Sequence, residues 1–136
     1  NGFAIDSTGQ GYATAGNNVY KVDLSTGTTT FLGSMGGSFN SSGDCVIDKS
    51  DGLYMTSNGD PGSDDLIQIN PATGAGTLIG DTGISGIWGL TSAWGYLFGF
   101  TGQGALVSID KTTGAGEVIH AFQGKSFYGA ASSAMR

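Results

Sequence analysis

The chain has 136 residues, 26 of them glycine, with 12% charged residues and a formal net charge of −6. That is enough for one domain with a real core, and glycines without a period of three beside only two prolines exclude collagen and low-complexity tracts. Five Lys and Arg give no footprint for phosphate backbones or anionic bilayers, and no apolar run approaches the roughly 18 residues of a spanning helix, so neither nucleic acid nor membrane insertion is expected.

The first strand signal is Phe3–Asp6, followed by a glycine turn and a second strand at Gly11–Thr14. A hairpin follows over Val19–Gly33: a strand, an Asp at 23, two variable residues, Thr26-Gly27, and another strand. The same succession returns twice. Cys45–Asp48 matches Phe3–Asp6, Gly52–Thr56 matches the second strand, and Leu66–Gly80 matches the hairpin. In the third round Trp88–Thr91, Gly95–Gly99 and Leu106–Ile119 take those places. Gly27, Gly74 and Gly114 lie 47 and 40 residues apart.

The hairpin chemistry is local. Asp23, Asn70 and Asp110 each end a strand, where a short side-chain oxygen bonds backbone N–H groups two residues on; Gly27, Gly74 and Gly114 supply positive φ. Pro71 suits the second turn position. These residues are therefore read as turn formers rather than ligands. No segment carries a sustained 3.6-residue apolar period, which predicts an all-β chain. Four short strands in each repeat of this length predict β-propeller blades, three four-stranded antiparallel repeats at about residues 1–40, 41–84 and 85–124 of a single domain. After them, Phe127–Ala134 aligns with Ile87–Ala93 and predicts one extra first strand.

The middle hairpin, Leu66-Ile-Gln-Ile-Asn-Pro-Ala-Thr-Gly-Ala-Gly-Thr-Leu-Ile-Gly80, resembles the blade hairpins of a group of secreted bacterial β-propeller repeat proteins of unknown function. The first repeat lacks the proline and the third lacks the final glycine. The resemblance implies a propeller and an extracellular or cell-surface location, and it brings no catalytic residue. The chain starts at Asn1 with neither an initiator Met nor a signal segment, which points to processing or trimming upstream.

Three blades fall short of the four to eight that close a propeller. Two outcomes are expected: the remaining blades belong to a longer chain, or copies of this one join as a homo-oligomer, ring or filament. Phe127, Tyr128, Gly129, Ala130 and Ala131 form the candidate assembly strand.

Catalytic chemistry finds little footing. His120 is the single histidine, Glu117 the single glutamate and Cys45 the single cysteine, and no Gly-x-Ser-x-Gly elbow or zinc spacing occurs. No catalytic residue and no required cofactor are assigned. The acidic loop over 58–65 offers Asp60, Asp64 and Asp65 as candidate oxygen ligands for Ca²⁺, although their spacing departs from the Asp-x-Asp-x-Asp-Gly loop. Trp88, Trp94, Tyr96 and Tyr128 are the candidate ligand-binding aromatics, suited to stacking on the apolar face of a sugar. The leading reading is a non-enzymatic extracellular binding or self-assembly module. Its alternatives are a carbohydrate-binding lectin and a fragment of a larger propeller hydrolase or lyase.

Overall fold

The computed structural model describes residues 1–58 and 62–132. Twelve strands form three four-stranded antiparallel meanders, and no helix occurs among the described residues. The first sheet contains β1 (Gly2–Ile5), β2 (Gly11–Ala15), β3 (Asn18–Val22) and β4 (Thr29–Ser34). The second contains β5 (Ser41–Ile47), β6 (Leu53–Asn58), β7 (Asp64–Ile69) and β8 (Gly76–Asp81). The third contains β9 (Ile87–Ala93), β10 (Tyr96–Thr101), β11 (Ala105–Ile109) and β12 (Gly116–Ala121).

The turn reading holds atom by atom. The Asp23, Asn70 and Asp110 side chains accept the N–H of Ser25, Ala72 and Thr112 at 2.8, 2.9 and 2.7 Å. Gly27, Gly74 and Gly114 then turn back with φ of 73°, 76° and 82° and donate to the carbonyls of those same Asp and Asn residues. Each sheet also carries one bulge in its outer pair, after Val19, Leu66 and Leu106, so the outer pairs of the three repeats can be superposed residue for residue.

That superposition moves one sequence match. Phe3 pairs with Ala13 and Cys45 with Met55, and the residue in this place in the third sheet is Leu90, paired with Gly99. Trp88 stands two positions earlier. The cause is loop length: Ala93 faces Tyr96 across a two-residue turn, whereas the first two sheets use five-residue turns at 6–10 and 48–52. Matching strands by their distance from the turn therefore misplaces β9.

The sheets pack in chain order, β1 against β5 and β5 against β9. The first interface buries Ala4, Tyr12, Val19 and Met35 with Cys45, Leu53, Met55, Ile67 and Ile69. The second buries Val46, Tyr54 and Leu66 with Ile87, Leu90, Leu97, Val107 and Ile109. Alternation along each strand supplies one apolar set per face, so the middle sheet is covered on both sides.

Glycine fixes the spacing between sheets. A Cβ on Gly43 would lie 2.2 Å from the Trp88 carbonyl oxygen, and one on Gly2 would lie 2.0 Å from the Cys45 nitrogen. At the outer strands, a Cβ on Gly33 or Gly80 would meet the carbonyl oxygen of Thr73 or Thr113 at 2.3 or 2.1 Å. Thr73 and Thr113 sit in the hairpin turns of the following sheet, so each turn presses onto the preceding sheet where a side chain is missing.

Within the described residues the expected extra strand does not form. Residues 125–132 join no sheet, and Ser133 and Ala134 lie outside the described residues. The segment nevertheless crosses Gly89, where a Cβ would meet Gly129 and Ala130 backbone at 2.7 and 2.9 Å, just as the next inner strand crosses Gly2 and Gly43. It occupies the place of a fourth inner strand and, among the described residues, pairs with no second strand.

Candidate binding surfaces

The four candidate aromatics separate into two pairs at opposite ends of β9. Trp88 is half-buried and stacks on Tyr128, with ring centroids 5.2 Å apart and planes 24° from parallel. The two rings line a recess of about 340 Å³ with Asn1, Ser42, Gly43 and Asp44. Here the Asp44 carboxylate accepts the Ala130 N–H at 2.9 Å, tying the crossing segment to β5. Trp88 is thereby a packing residue for the C-terminal segment.

Trp94 and Tyr96 occupy the other end. Trp94 and Gly95 form the β9–β10 turn with φ of 51° and 86°, which is the primed turn that two-residue hairpins favour. Such a turn asks for Asn or Gly at its first position, and a tryptophan there is held in the left-handed region at a cost of roughly 1 kcal/mol. Its side chain is 87% exposed and that of Tyr96 66%. Lys49 lies alongside, its Cε 3.2 Å from where a Gly95 Cβ would stand.

Trp94 stands at the rim of a cavity of about 460 Å³, lined by the inner strands of all three sheets through Phe3, Ile5, Val46 and Leu90 and closed on the fourth side by Ala130 and Ala131. Its wall is mostly apolar, with Thr91, Ser92 and Lys49 as the polar groups near Trp94. That composition suits an amphipathic organic ligand. Lys49 escaped sequence reasoning, because only the β5–β6 turn brings it beside a tip more than forty residues away.

Of the three candidate acidic ligands, Asp64 serves the framework. The Asp64 carboxylate is buried and accepts the Ile87 N–H at 2.6 Å, holding the start of β9. Burial pushes this carboxyl above its usual range. Asp65, the next residue on β7, points to the opposite face; burial and the nearby Asp81 push it upward as well. Asp60 lies outside the described residues. Among the described residues, no group of three or more His, Cys, Asp or Glu is placed to share an ion.

His120 and Glu117 are exposed on β12, the outermost strand, and the His120 ring packs edge-on to Phe122 at 4.5 Å. Cys45 is buried, and burial pushes its thiol up to about 11. A thiol reagent at pH 8 is therefore expected to leave the native chain unlabelled for hours and to label it in minutes once denatured. Rapid native labelling would mean that the first two sheets part readily.

A scan against protein-family models and a search of curated proteins both return no match.

Proposed function

We propose that this chain is a non-enzymatic extracellular module whose three sheets are blades of a β-propeller, and that it works by joining a partner through the open face of its first sheet. One observation carries this reading. The row Phe3, Ala13, Tyr20, Phe31 crosses the open face in the same registers as Cys45, Met55, Ile67 and Leu78 in the second sheet. In the second sheet this face is covered by the first, leaving Cys45, Met55 and Ile67 at 4% exposure or less. On the first sheet Phe3 and Ile5, the counterparts of Cys45 and Ile47 (4% and 9% exposed), remain 50% and 38% exposed. Phe31 and Leu24 extend the apolar area at the outer edge, where the covered sheet's Leu78 is also 52% exposed. Four large apolar side chains gathered on one sheet face mark an association surface rather than ordinary exposure.

The test is Phe31→Lys. Placing a charge in the row is expected to reduce the assembled fraction at least tenfold by sedimentation velocity, while the melting temperature of dilute protein moves by a few degrees at most. An unchanged sedimentation profile would remove the reading.

Trp94 supports a second activity on the same module, saccharide binding at the mouth of the inner cavity. An indole displayed to solvent from a strained turn, with hydroxyl groups and a lysine beside it, offers a stacking platform with polar contacts around it. Trp94→Asn is expected to raise stability by about 0.5–1 kcal/mol, since asparagine suits the left-handed turn position, and to abolish binding on a glycan array. Glycan binding that survives the substitution would assign the site elsewhere.

A further inference from the structure

We infer that the partner on the open face of the first sheet is a second copy of this chain, meeting it face to face in a closed two-fold dimer. The inference rests on the assembly reading above and decides between a dimer and the rings or filaments that head-to-tail stacking would build.

Head-to-tail stacking requires the third sheet to receive another sheet as the first receives the second and the second receives the third. Three features oppose this. The glycine that admits the neighbouring turn, Gly33 in the first sheet and Gly80 in the second, is His120 in the third. A Cβ at this place stands within 2.3 Å of the incoming carbonyl oxygen in both existing interfaces, so a histidine keeps the incoming turn out.

The backbone bond between sheets is also already used. The Met35 and Thr82 carbonyls accept the N–H of Gly76 and Gly116 from the next sheet at 2.9 and 3.0 Å. The matching carbonyl in the third sheet is that of Phe122, which accepts the Lys125 N–H of its own chain at 3.2 Å. The inner position, finally, is filled by Gly129 and Ala130 over Gly89.

The first sheet departs from the pattern on its side as well. Gly76 and Gly116, where an added Cβ would stand 3.1 and 2.9 Å from the preceding sheet's Met35 and Thr82 carbonyl oxygens, correspond to Thr29. The third sheet thus offers the first sheet of another copy neither the glycine, the unbonded carbonyl nor the vacant inner position that the two existing interfaces use.

The open face can be matched by its own copy. Its rows Phe3–Ala13–Tyr20–Phe31 and Ile5–Gly11–Val22–Thr29 contain no charged residue. Two chains of net charge −6 can therefore bring these faces together without setting like charges opposite one another. A two-fold contact uses the same patch twice and leaves no second face for growth.

Native mass spectrometry and light scattering over a hundredfold concentration range test this on the unmodified chain, together with disulfide trapping of Phe3→Cys, Tyr20→Cys and Phe31→Cys. The expected result is a mass that plateaus at two chains, with at least one of the three variants oxidising to a covalent dimer. Species of three or more chains that grow with concentration would overturn the dimer and leave the assembly reading standing. A one-chain mass throughout would overturn both. A dimer that forms with none of the three cysteines trapped, and that survives Phe31→Lys, would place the contact on another surface.

Discussion

Replacing Gly80 with alanine is expected to destabilise the protein by about 3 kcal/mol and lower its melting temperature by about 10 °C. The new methyl group would stand 2.1 Å from the Thr113 carbonyl oxygen and 3.1 Å from its carbon. Both are backbone atoms of a hairpin turn, which cannot rotate away as a side-chain end would. The third sheet would have to back off by about an ångström, loosening the packing of Leu66 with Val107 and the other residues of the second core. Gly9→Ala is the natural comparison. Gly9 has φ of +88° and nothing within 4 Å of an added Cβ, so its substitution carries only backbone strain, about 1 kcal/mol. Thermal melts of the two variants separate close approach from turn conformation. Equal losses would mean that the sheets are not held in the contact described.

The second large effect is Asp48→Ala, expected to cost about 3 kcal/mol. The Asp48 side chain is 2% exposed and bonds Lys111 Nζ at 2.6 Å. It also accepts the N–H of Ser50 and Gly52 at 2.9 and 3.0 Å. Alanine there strands both amides and breaks the only ion pair joining the second sheet to the third among the described residues. Lys111→Met is expected to cost less, about 1 kcal/mol, because Lys111 is 28% exposed and water shares in its solvation. Burial acts to raise the Asp48 carboxyl, but Lys111 and the two amides outweigh it and hold the group below its ordinary value of 3.8. A carboxyl depressed in the folded state binds protons less readily there than in the unfolded chain. Its stabilisation is therefore present above pH 3.8 and is lost as pH falls through the lowered value. Asp64 runs the other way: with its carboxyl raised, its contribution is full below 3.8 and declines as pH rises through the raised value. Melts of the wild type and Asp48→Asn between pH 7 and pH 2.5 should converge at the acid end. A constant gap between them would remove the Asp48 account.

The turns were the most legible part of the molecule in sequence, because their chemistry spans two to four residues. Asp23, Asn70 and Asp110 cap their hairpins with the bonds that the motif implies. The number of strands followed from those turns. What sequence did not disclose depends on partners far along the chain. Gly33 and Gly80 read as strand ends, and their meaning lies in a carbonyl of the next sheet. The missing glycine of the third repeat was visible as a departure from the motif, yet only the packed sheets reveal that His120 stands where another turn would enter. Asp48 and Lys111 are 63 residues apart and carry no local signal of their pairing. The aromatic cluster misled in a different way: Trp88 and Trp94 are close in sequence, but β9 runs between them and sends one into packing and the other into solvent. Residues 127–132 align well with β9 and take the equivalent inner place beside it, but among the described residues no second strand pairs with them and they form no sheet.

The charge-free open face gives the account its most direct check, which is the molar mass of the unmodified chain by light scattering from submicromolar to near-millimolar concentration. A mass that rises from one chain and levels at two is the predicted result; one chain at every concentration would contradict the assembly surface itself.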